Sequence, residues 1–552
     1  MCKDHENWFQ IPIAPLYRRR FLKSGLRAGL GLALSSPLLG LANQALAQTS
    51  PGKDDQPQPG GVLTYRLAGD PPNFDPISNA TYMIHHAIAP IYNNIVMFDP
   101  MDRNRVIGEL AHKWEISPDG KIYTFHLIKG VKFHDGKPCT AADVKFTYDL
   151  IRNPPQGVVS LRKIALAVID GIETPDEYTV RFVLKRPAPS MLNILAQGYF
   201  SVLPKHIIEA KGDMKKDAIG TGPFKLKNYT RGVSIELVRN PDYHLKGRPY
   251  LDGITFFIIP DPGTAFANFR TGQLHFYMMT GDEARQAEKE FGDKVAIQKG
   301  PLVIFFNLNF NGRRKPWDDL RVRQAVSLAI DRSEALKVVT MGDGDIGGLM
   351  PPSGIWALPP AELEKIPGYG KDTTANISAA KKLLAEAGYA NGFATTLLTR
   401  KGSDFEPFSV FLKDQLGKIG IEAKLDVQET ASAYDSLNKR NFDLAPWAQG
   451  TALDDPDAFF GEFYTCNAIR NYSGICSKEV DELFDKQSQT MDLEERKKLV
   501  HQMEKAALMN FSNVMIYHQW RFVGLSARAR NYKIHSSLFN NQRLQDVWLA
   551  KK

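Results

Sequence analysis

The chain has 552 residues of ordinary globular composition, with 43% hydrophobic and 24% charged residues, and this length excludes a single hydrophobic core. The net charge is +8, but the first 47 residues hold six basic and two acidic side chains, so +4 remains for the other residues. No basic stripe or arm follows residue 47, and we therefore expect no nucleic-acid partner.

The N-terminus has the pattern of an export signal. The basic string YRRRFLK at 17–23 precedes 25 uncharged residues, and Ala45-Leu46-Ala47 forms a small-x-small cleavage site. RRRFLK resembles the twin-arginine motif, so we predict that residues 1–47 are a twin-arginine signal peptide cleaved after Ala47, which makes the mature protein periplasmic. The alternative is an uncleaved membrane anchor, but the Gly, Ser and Asn content of the segment favours cleavage.

Common enzyme motifs do not occur in the sequence. It contains no HExxH, CxxC, GxSxG or GxxxxGK[ST] string, so we expect no catalytic residues and no cofactor. His85 and His86 are adjacent, which points their side chains apart and disfavours a metal site. Cys466 and Cys476 are ten residues apart in a protein expected in an oxidising compartment, where they are either two buried thiols or a disulfide.

Turn signals predict a hairpin early in the chain. Asp119-Gly120 lies between two runs within 114–127 whose apolar residues alternate, which is typical of two paired strands. A second turn, Asp135-Gly136, ends the next short run.

Further along the chain, apolar residues recur at helical spacing. Asp318 is predicted to cap a helix that carries Arg321 and Arg323 on its outer face. Asn376 and Gly388 are predicted to bracket a second helix. Residues 480–484 and 493–508 also have helical patterns. Because strands and helices alternate, we predict a mixed α/β fold.

Several blocks of sequence resemble one protein family. Residues 111–149, with the strings SPDG, YTF, GVKFHDG and TAADV, closely resemble the signature region of the family 5 extracytoplasmic solute-binding proteins, the peptide, opine and nickel class of bacterial ABC importers. The likeness continues in order through GTGPF at 220–224, RNPDY at 239–243, YLDG at 250–253 and RVRQA at 321–325. It covers the chain from about residue 60 to the end.

The resemblance implies a bilobed α/β fold of the periplasmic-binding-protein type (class II-like), with an extra inserted domain and a hinge between the lobes. The first lobe is expected to be discontinuous and the second continuous, with the solute enclosed between them. The expected boundaries are 58–94, 213–301 and 519–552 for the first lobe, 95–212 for the inserted small domain and 302–518 for the second lobe.

The implied function is that of a periplasmic substrate-binding protein of an ABC importer. It would capture a peptide-like or amino-acid-derived solute, deliver it to the permease subunits in the inner membrane, act as a monomer, and make or break no bond. An oligosaccharide or other non-peptide solute remains an alternative for the same fold, as does a role in presenting ligand to a chemoreceptor. A secreted hydrolase is disfavoured because the sequence suggests neither a base-activated nucleophile nor a metal cluster.

One loop of the peptide-binding relatives has the form Trp-x-x-Asp-x-x-x-Pro, and its carboxylate pairs with the ligand's free amino group. Here the matching loop runs from Trp447 to Pro456 and is two residues longer. Counting forward places Gly450 at the acidic position and counting back places Ala452 there, so we expect weakened recognition of a free amino terminus. Asp454 either substitutes for the missing acid or caps the following helix.

Other site residues also follow from the resemblance. Arg400 matches within one residue an arginine that binds the ligand carboxylate in dipeptide-binding relatives; the alternative is a solvated loop charge. Trp447 is either an aromatic wall of the site or a core residue. Dipeptide-binding relatives carry a disulfide at the place of Cys466 and Cys476. Together these residues predict a ligand that presents a carboxylate or another hydrogen-bonding anion but lacks a conventionally held free α-amino group, such as a blocked peptide or an opine.

Overall fold

The computed structural model describes residues 56–551 except 78–81, 157–159, 161, 353, 403 and 541. The predicted signal peptide and its cleavage site therefore lie outside the described residues. From Pro57 onward the chain forms one compact unit. Among the helices of the described ranges, none combines the length and the apolar character needed to cross a membrane.

The strands are distributed along the whole described chain. They are β1 (Val62–Leu67), β2 (Val96–Asp99), β3 (Asp102–Gly108), β4 (Ala111–Ile116), β5 (Ile122–Leu127), β6 (Ile169–Asp176), β7 (Thr179–Leu184), β8 (Phe224–Thr230), β9 (Ser234–Arg239), β10 (Gly253–Ile258), β11 (Phe276–Met279), β12 (Val295–Phe310), β13 (Gly344–Asp345), β14 (Phe393–Arg400), β15 (Ile421–Gln428), β16 (Leu444–Gly450), β17 (Asn513–Ser526), β18 (Ala529–Arg530) and β19 (Trp548–Leu549).

Helices alternate with these strands, so the predicted α/β class is confirmed. They are α1 (Tyr82–Ile88), α2 (Ala141–Arg152), α3 (Met191–Leu195), α4 (Lys205–Lys211), α5 (Pro262–Arg270), α6 (Gly281–Phe291), α7 (Leu320–Ala329), α8 (Arg332–Val339), α9 (Pro360–Leu363), α10 (Thr373–Glu386), α11 (Glu406–Gly417), α12 (Thr430–Asn438), α13 (Pro456–Phe463), α14 (Lys478–Gln487) and α15 (Leu493–Met509), with short 3₁₀ turns at Ala89–Ile91, Ile164–Leu166 and Gly292–Lys294.

One eleven-stranded mixed sheet organises the described chain. Its order is β15-β14-β16-β12-β17-β11-β1-β10-β9-β8, with β13 paired to β17. We call β16, β14 and β15 the second half-sheet, and β11, β1, β10, β9 and β8 the first half-sheet. The two halves meet at the antiparallel pair β12 and β17, the two longest strands in these ranges.

The strands β12 and β17 pass from one half-sheet to the other. Residues 295–301 of β12 pair with 520–526 of β17, and residues 305–309 pair with 513–518. The register shifts between Pro301 and Phe305, at the point where β16 begins to pair with β12. A shift of this kind bends and twists the paired strands locally, so the two half-sheets are joined through a bend in two shared strands.

Alternate residues of the shared strands enter different cores. Phe306 and Leu308 pack into one cluster of apolar side chains, whereas Val303 and Phe305 pack into another on the opposite face. Because successive side chains of a strand point to opposite faces, both faces of the sheet are covered. This explains the nearly continuous apolar run in the sequence of β12.

The predicted hairpin is confirmed as β4 and β5. Ile116 pairs with Tyr123, and Gly120 at the turn has φ of +67°, a backbone conformation that favours glycine. The two strands belong to a four-stranded sheet of order β4-β5-β7-β6. Its buried residues pack with α2 and join the largest apolar cluster of the described chain.

The predicted helix caps were partly wrong. Asp319, not Asp318, caps α7 by accepting a hydrogen bond from the backbone N–H of Arg321. Arg323 is not on an outer face: it is buried, and its guanidinium donates to the carbonyl oxygens of Phe511 and Asn510. A loop nearly 190 residues away in sequence therefore covers the charged side of this helix.

The second predicted helix begins earlier than expected. Asp372, not Asn376, caps α10 by accepting from the backbone N–H of Ala375. Gly388 follows the last turn with φ of +91°, as expected of a glycine stop. The helical patterns at 480–484 and 493–508 are confirmed as α14 and α15.

Candidate ligand-binding site

The candidate residues lie at one edge of the second half-sheet. Arg400 is the last residue of β14, and Trp447 and Gly450 belong to β16. Because β14 and β16 are parallel neighbours, their carboxyl ends meet at the same edge. Asp454 lies in the loop between β16 and α13. The topology therefore brings Arg400, Trp447 and Gly450 to one edge of the sheet, and Asp454 follows in the loop beyond it.

Arg400 lies among three aromatic rings. Its guanidinium carbon is 3.8 Å from the ring centroid of Phe405, 5.7 Å from that of Tyr434 and 5.8 Å from that of Trp447. The residue is half-buried, and no carboxylate of the described residues forms an ion pair with it. The rings hold the cation in place, and its N–H groups are left for an anion.

Trp447 is a core residue in the structure. It is 2% exposed and packs in a small apolar cluster, with its ring perpendicular to that of Tyr434 at a centroid distance of 4.9 Å. It contacts the candidate site through Arg400. Its place is behind the arginine, where it fixes the guanidinium, and not on the site's surface.

Gly450 has no space for a side chain. A Cβ there would lie 2.7 Å from both the carbonyl oxygen of Val303 and Cγ1 of Ile304 on β12. The carbonyl oxygen of Gly450 instead accepts a hydrogen bond from Arg470, which also pairs with Glu462 at 3.3 Å. An acidic anchor at position 450 is therefore sterically incompatible with this sheet.

Asp454 has an unusual environment for a carboxylate. Its Oδ1 is buried and has no hydrogen-bond partner in the described part of the chain. Burial raises the pKa of Asp454 to about 7, against the opposing charge of Arg103. The predicted capping role was wrong for this residue, because Asp455 caps α13 by accepting from the backbone N–H of Asp457.

A set of hydrogen bonds joins the segment around α3 to the start of α13; we call it the latch and define it by Ser190, Asn193, Asp455 and Asp457. The hydroxyl of Ser190 donates to Asp457 at 2.5 Å, and the amide of Asn193 donates to Asp455 at 3.0 Å. Arg496 pairs with Asp455 at 2.9 Å, and both side chains are almost completely buried. No local pattern in the sequence predicts the latch, because the residues that bond to each other in it are more than 260 positions apart.

The two loop cysteines lie side by side. The pKa of Cys466 is raised to about 12. Partial burial is the larger cause, and a hydrogen bond between its sulfur and that of Cys476 is the next. Both are free thiols in this structure. Their disulfide stays a prediction.

The adjacent histidines are both buried. His86 is hydrogen-bonded at both ring nitrogens, to the hydroxyl of Tyr65 and to the carbonyl oxygen of Leu538, each at 2.8 Å. Burial lowers the pKa of His86 to about 3, so the ring is neutral. These hydrogen bonds hold the ring of His86 between β1 and the C-terminal segment, which is a structural role.

Comparison with known proteins identifies similar chains. The family model described as bacterial extracellular solute-binding proteins, family 5 Middle, matches residues 105–471. The oligopeptide-binding protein AppA of Bacillus subtilis (strain 168) is 29% identical over 551 residues, which cover 95% of this chain and 97% of AppA.

Solved structures are similar over most of the chain. The ABC transporter-associated periplasmic binding protein DppA from Helicobacter pylori, in complex with the peptide STSA, is 27% identical with a TM-score of 0.74, covering 90% of this chain and 99% of DppA. The binding protein AgaA from A. tumefaciens R10, in complex with agropinic acid, is 26% identical with a TM-score of 0.72, covering 89% and 99%. The predicted bilobed fold is confirmed by these matches.

Proposed function

This chain belongs to the family 5 bacterial extracellular solute-binding proteins, and we propose that it is the substrate-binding protein of an ABC importer for a peptide-like or amino-acid-derived solute. The similarity to an oligopeptide-binding protein, and to proteins solved with a peptide and with agropinic acid, supports this solute class. The bound solute is delivered unchanged to the permease subunits.

We propose the lobe division expected from the sequence, with the solute enclosed between the lobes. The sheet order supports it, because β12 and β17 connect a first half-sheet to a second one. In this proposal the register shift between Pro301 and Phe305 marks the hinge. Ligand contacts with both lobes favour the closed state over the open one.

The environment of Arg400 carries the proposal. A guanidinium held by aromatic rings, with no acidic partner among the described residues, is suited to a carboxylate through two parallel hydrogen bonds. Peptides, opines and other amino-acid derivatives all present such a group. We propose that Arg400 binds the ligand carboxylate.

Asp454 supplies the complementary charge in this proposal. Its buried and unpartnered Oδ1 is suited to a hydrogen-bond donor of the ligand, and an ammonium group is the strongest such donor. Neither Gly450 nor Ala452 carries an acid, so this loop holds a ligand amino group only through Asp454.

We expect the substitution Arg400→Ala to weaken binding of unmodified di- to pentapeptides, N-acylated peptides or opines by about 1.5–3 kcal/mol, the range for a hydrogen bond to a charged group. Isothermal titration calorimetry with this panel measures the effect. Lys401→Ala is the control, because Lys401 is exposed and pairs with Glu429 on the surface. Equal affinity of Arg400→Ala and wild type for every binding ligand would contradict the role of Arg400, and steady conversion of a ligand to product would contradict the binding function.

We also propose periplasmic localisation through the twin-arginine route, on the basis of residues 17–47. Replacing Arg18 and Arg19 by lysine is expected to leave the precursor in the cytoplasm, because the route reads the arginine pair. Cell fractionation measures the distribution, and N-terminal sequencing of the exported wild type should begin at Gln48. Recovery of residues 1–47 in a membrane-bound mature protein would contradict the proposal.

A further inference from the structure

Buried arginines usually have compensating partners, and most in this protein do. Arginine is buried at five positions of the described chain. Arg496 and Arg543 pair with buried carboxylates, at 2.9 Å to Asp455 and 2.7 Å to Glu109. In these two cases the protein itself neutralises the buried charge.

Two further buried arginines are satisfied by the backbone. Arg323 donates four hydrogen bonds to carbonyl oxygens, and Arg332 donates three. Arg521 is different. It is 5% exposed, and its Nε has no partner within the described ranges. Its guanidinium contacts only neutral groups there: the carbonyl oxygen of His535 at 3.4 Å, the sulfur of Met278 at 3.3 Å and the side chain of Tyr532. A guanidinium buried without an anion is costly.

Arg521 lies under the C-terminal segment 532–540, with its guanidinium in contact with the carbonyl oxygen of His535. Gln298 of β12 exchanges hydrogen bonds with this segment, accepting from the N–H of Ile534 and donating to the carbonyl oxygen of Tyr532. The N–H of Val303 donates to Ser536 at 3.1 Å. The segment therefore crosses the shared strand β12 beside Arg521, at the junction of the half-sheets.

Polar atoms of this segment are also unsatisfied. The Nε2 of His535, both amide atoms of Asn540 and the Nε2 of Gln542 are buried and lack a hydrogen-bond partner in the portion of the chain that the structure describes. Burial, together with the charges of Arg103 and Arg521, lowers the pKa of His535 to about 3. The groups around the guanidinium are therefore neutral and do not compensate its charge.

One charged side chain connects the cluster with the loop that carries Asp454. The ring of His535 lies 5.4 Å from that of Phe98, and Arg103 acts electrostatically on both His535 and Asp454. The same arginine thus links this cluster to the loop that follows β16. An anion beside Arg521 would lie next to the paired strands β12 and β17, where the two half-sheets join.

We propose that Arg521, with His535, Asn540 and Gln542, forms a second anion-binding subsite that takes a carboxylate of the ligand, distinct from the carboxylate bound by Arg400. This inference rests on the proposed function and restricts the class of solutes that the protein binds. It assigns to the protein ligands with two anionic groups, such as acidic peptides or dicarboxylate opines. The guanidinium forms paired hydrogen bonds with the carboxylate, and the neutral amides donate to its remaining lone pairs.

The test uses alanine tri- and pentapeptides that carry one glutamate at each position in turn, each matched to its glutamine counterpart. Calorimetry on wild type is expected to show at least one position at which glutamate binds about tenfold more tightly than glutamine. Arg521→Gln should remove that preference, Arg521→Lys should retain part of it, and Arg323→Gln, a buried arginine bound to backbone carbonyls, should retain it fully.

Thermal unfolding without peptide gives a second readout. Arg521→Gln is expected to unfold at the same temperature as wild type or higher, because it removes an uncompensated charge, whereas Arg323→Gln unfolds at a lower one. Sodium acetate should stabilise wild type more than sodium chloride of equal ionic strength, and Arg521→Gln should lose this difference.

A glutamate preference that is absent at all positions, or that survives in Arg521→Gln, would overturn the subsite and leave the proposed function intact. If none of these peptides binds, the acetate comparison alone decides the subsite, and the N-acylated peptides and opines of the calorimetry panel test the proposed solute class separately. Equal acetate stabilisation of wild type and Arg521→Gln would then overturn it.

Discussion

Replacing Arg496 by methionine is expected to lower the free energy of unfolding by about 3–5 kcal/mol, the cost of leaving a buried charge without its partner. Asp455 is completely buried and pairs with Arg496 at 2.9 Å. The same carboxylate caps α13 and accepts the amide of Asn193 in the latch. Reversible urea denaturation measures the loss.

The control for this substitution is Lys498→Met on the same helix. Lys498 pairs with Glu495 at 3.3 Å, but both side chains are mostly exposed, so we expect a change of at most about 1 kcal/mol. The double variant Arg496→Met with Asp455→Asn should recover part of the lost stability, because it removes both charges. A loss for Arg496→Met no larger than that of Lys498→Met would refute the role of the buried pair.

The affinity for a peptide with a free amino group is expected to fall about tenfold for each pH unit below 7. The reason is the raised pKa of Asp454, about 7 in the free protein. Below that pH the carboxyl is neutral, and it must lose its proton before it can pair with an ammonium group. Above pH 7 it is ionised, and the affinity should level off until the ligand's own amine loses its proton.

The matched ligand for this experiment is the N-acetylated form of the same peptide, which has no ammonium group and should show no such pH dependence. Asp454→Asn should flatten the profile of the free peptide as well. Calorimetry between pH 5 and pH 7 measures both. Parallel profiles for the free and acetylated peptides would exclude contact with Asp454 and would favour the blocked ligands expected from the sequence alone.

Local signals in the sequence predicted local structure well. The Asp-Gly pair and the alternating runs around it led to β4 and β5, and the apolar spacing led to α14 and α15. The caps of α7 and α10 were misplaced because several Asp and Asn residues with similar capping ability lie near each start. The choice between Asp318 and Asp319 depends on how the chain enters the helix, which the sequence pattern does not specify.

Long-range contacts explain what the sequence could not predict. Arg323 looked like a solvated residue of an amphipathic helix, yet carbonyl oxygens of a distant loop bind it. Gly450 looked like a lost acid, whereas the neighbouring strand leaves no room for any side chain there. The isolation of Arg521 depends on a segment that crosses β12, and no spacing in the sequence indicates this crossing.

The position of β17 in the sheet has a consequence for biosynthesis. It is the last long strand of the chain, yet it lies between β11 and β12 and pairs with both. Until the ribosome has made residue 526, these two strands have open edges, which are sites of aggregation in unfinished proteins. The two half-sheets therefore cannot be joined through β17 until synthesis is almost complete. Export after folding, which we propose for this protein, allows β17 to insert between β11 and β12 before the protein leaves the cytoplasm.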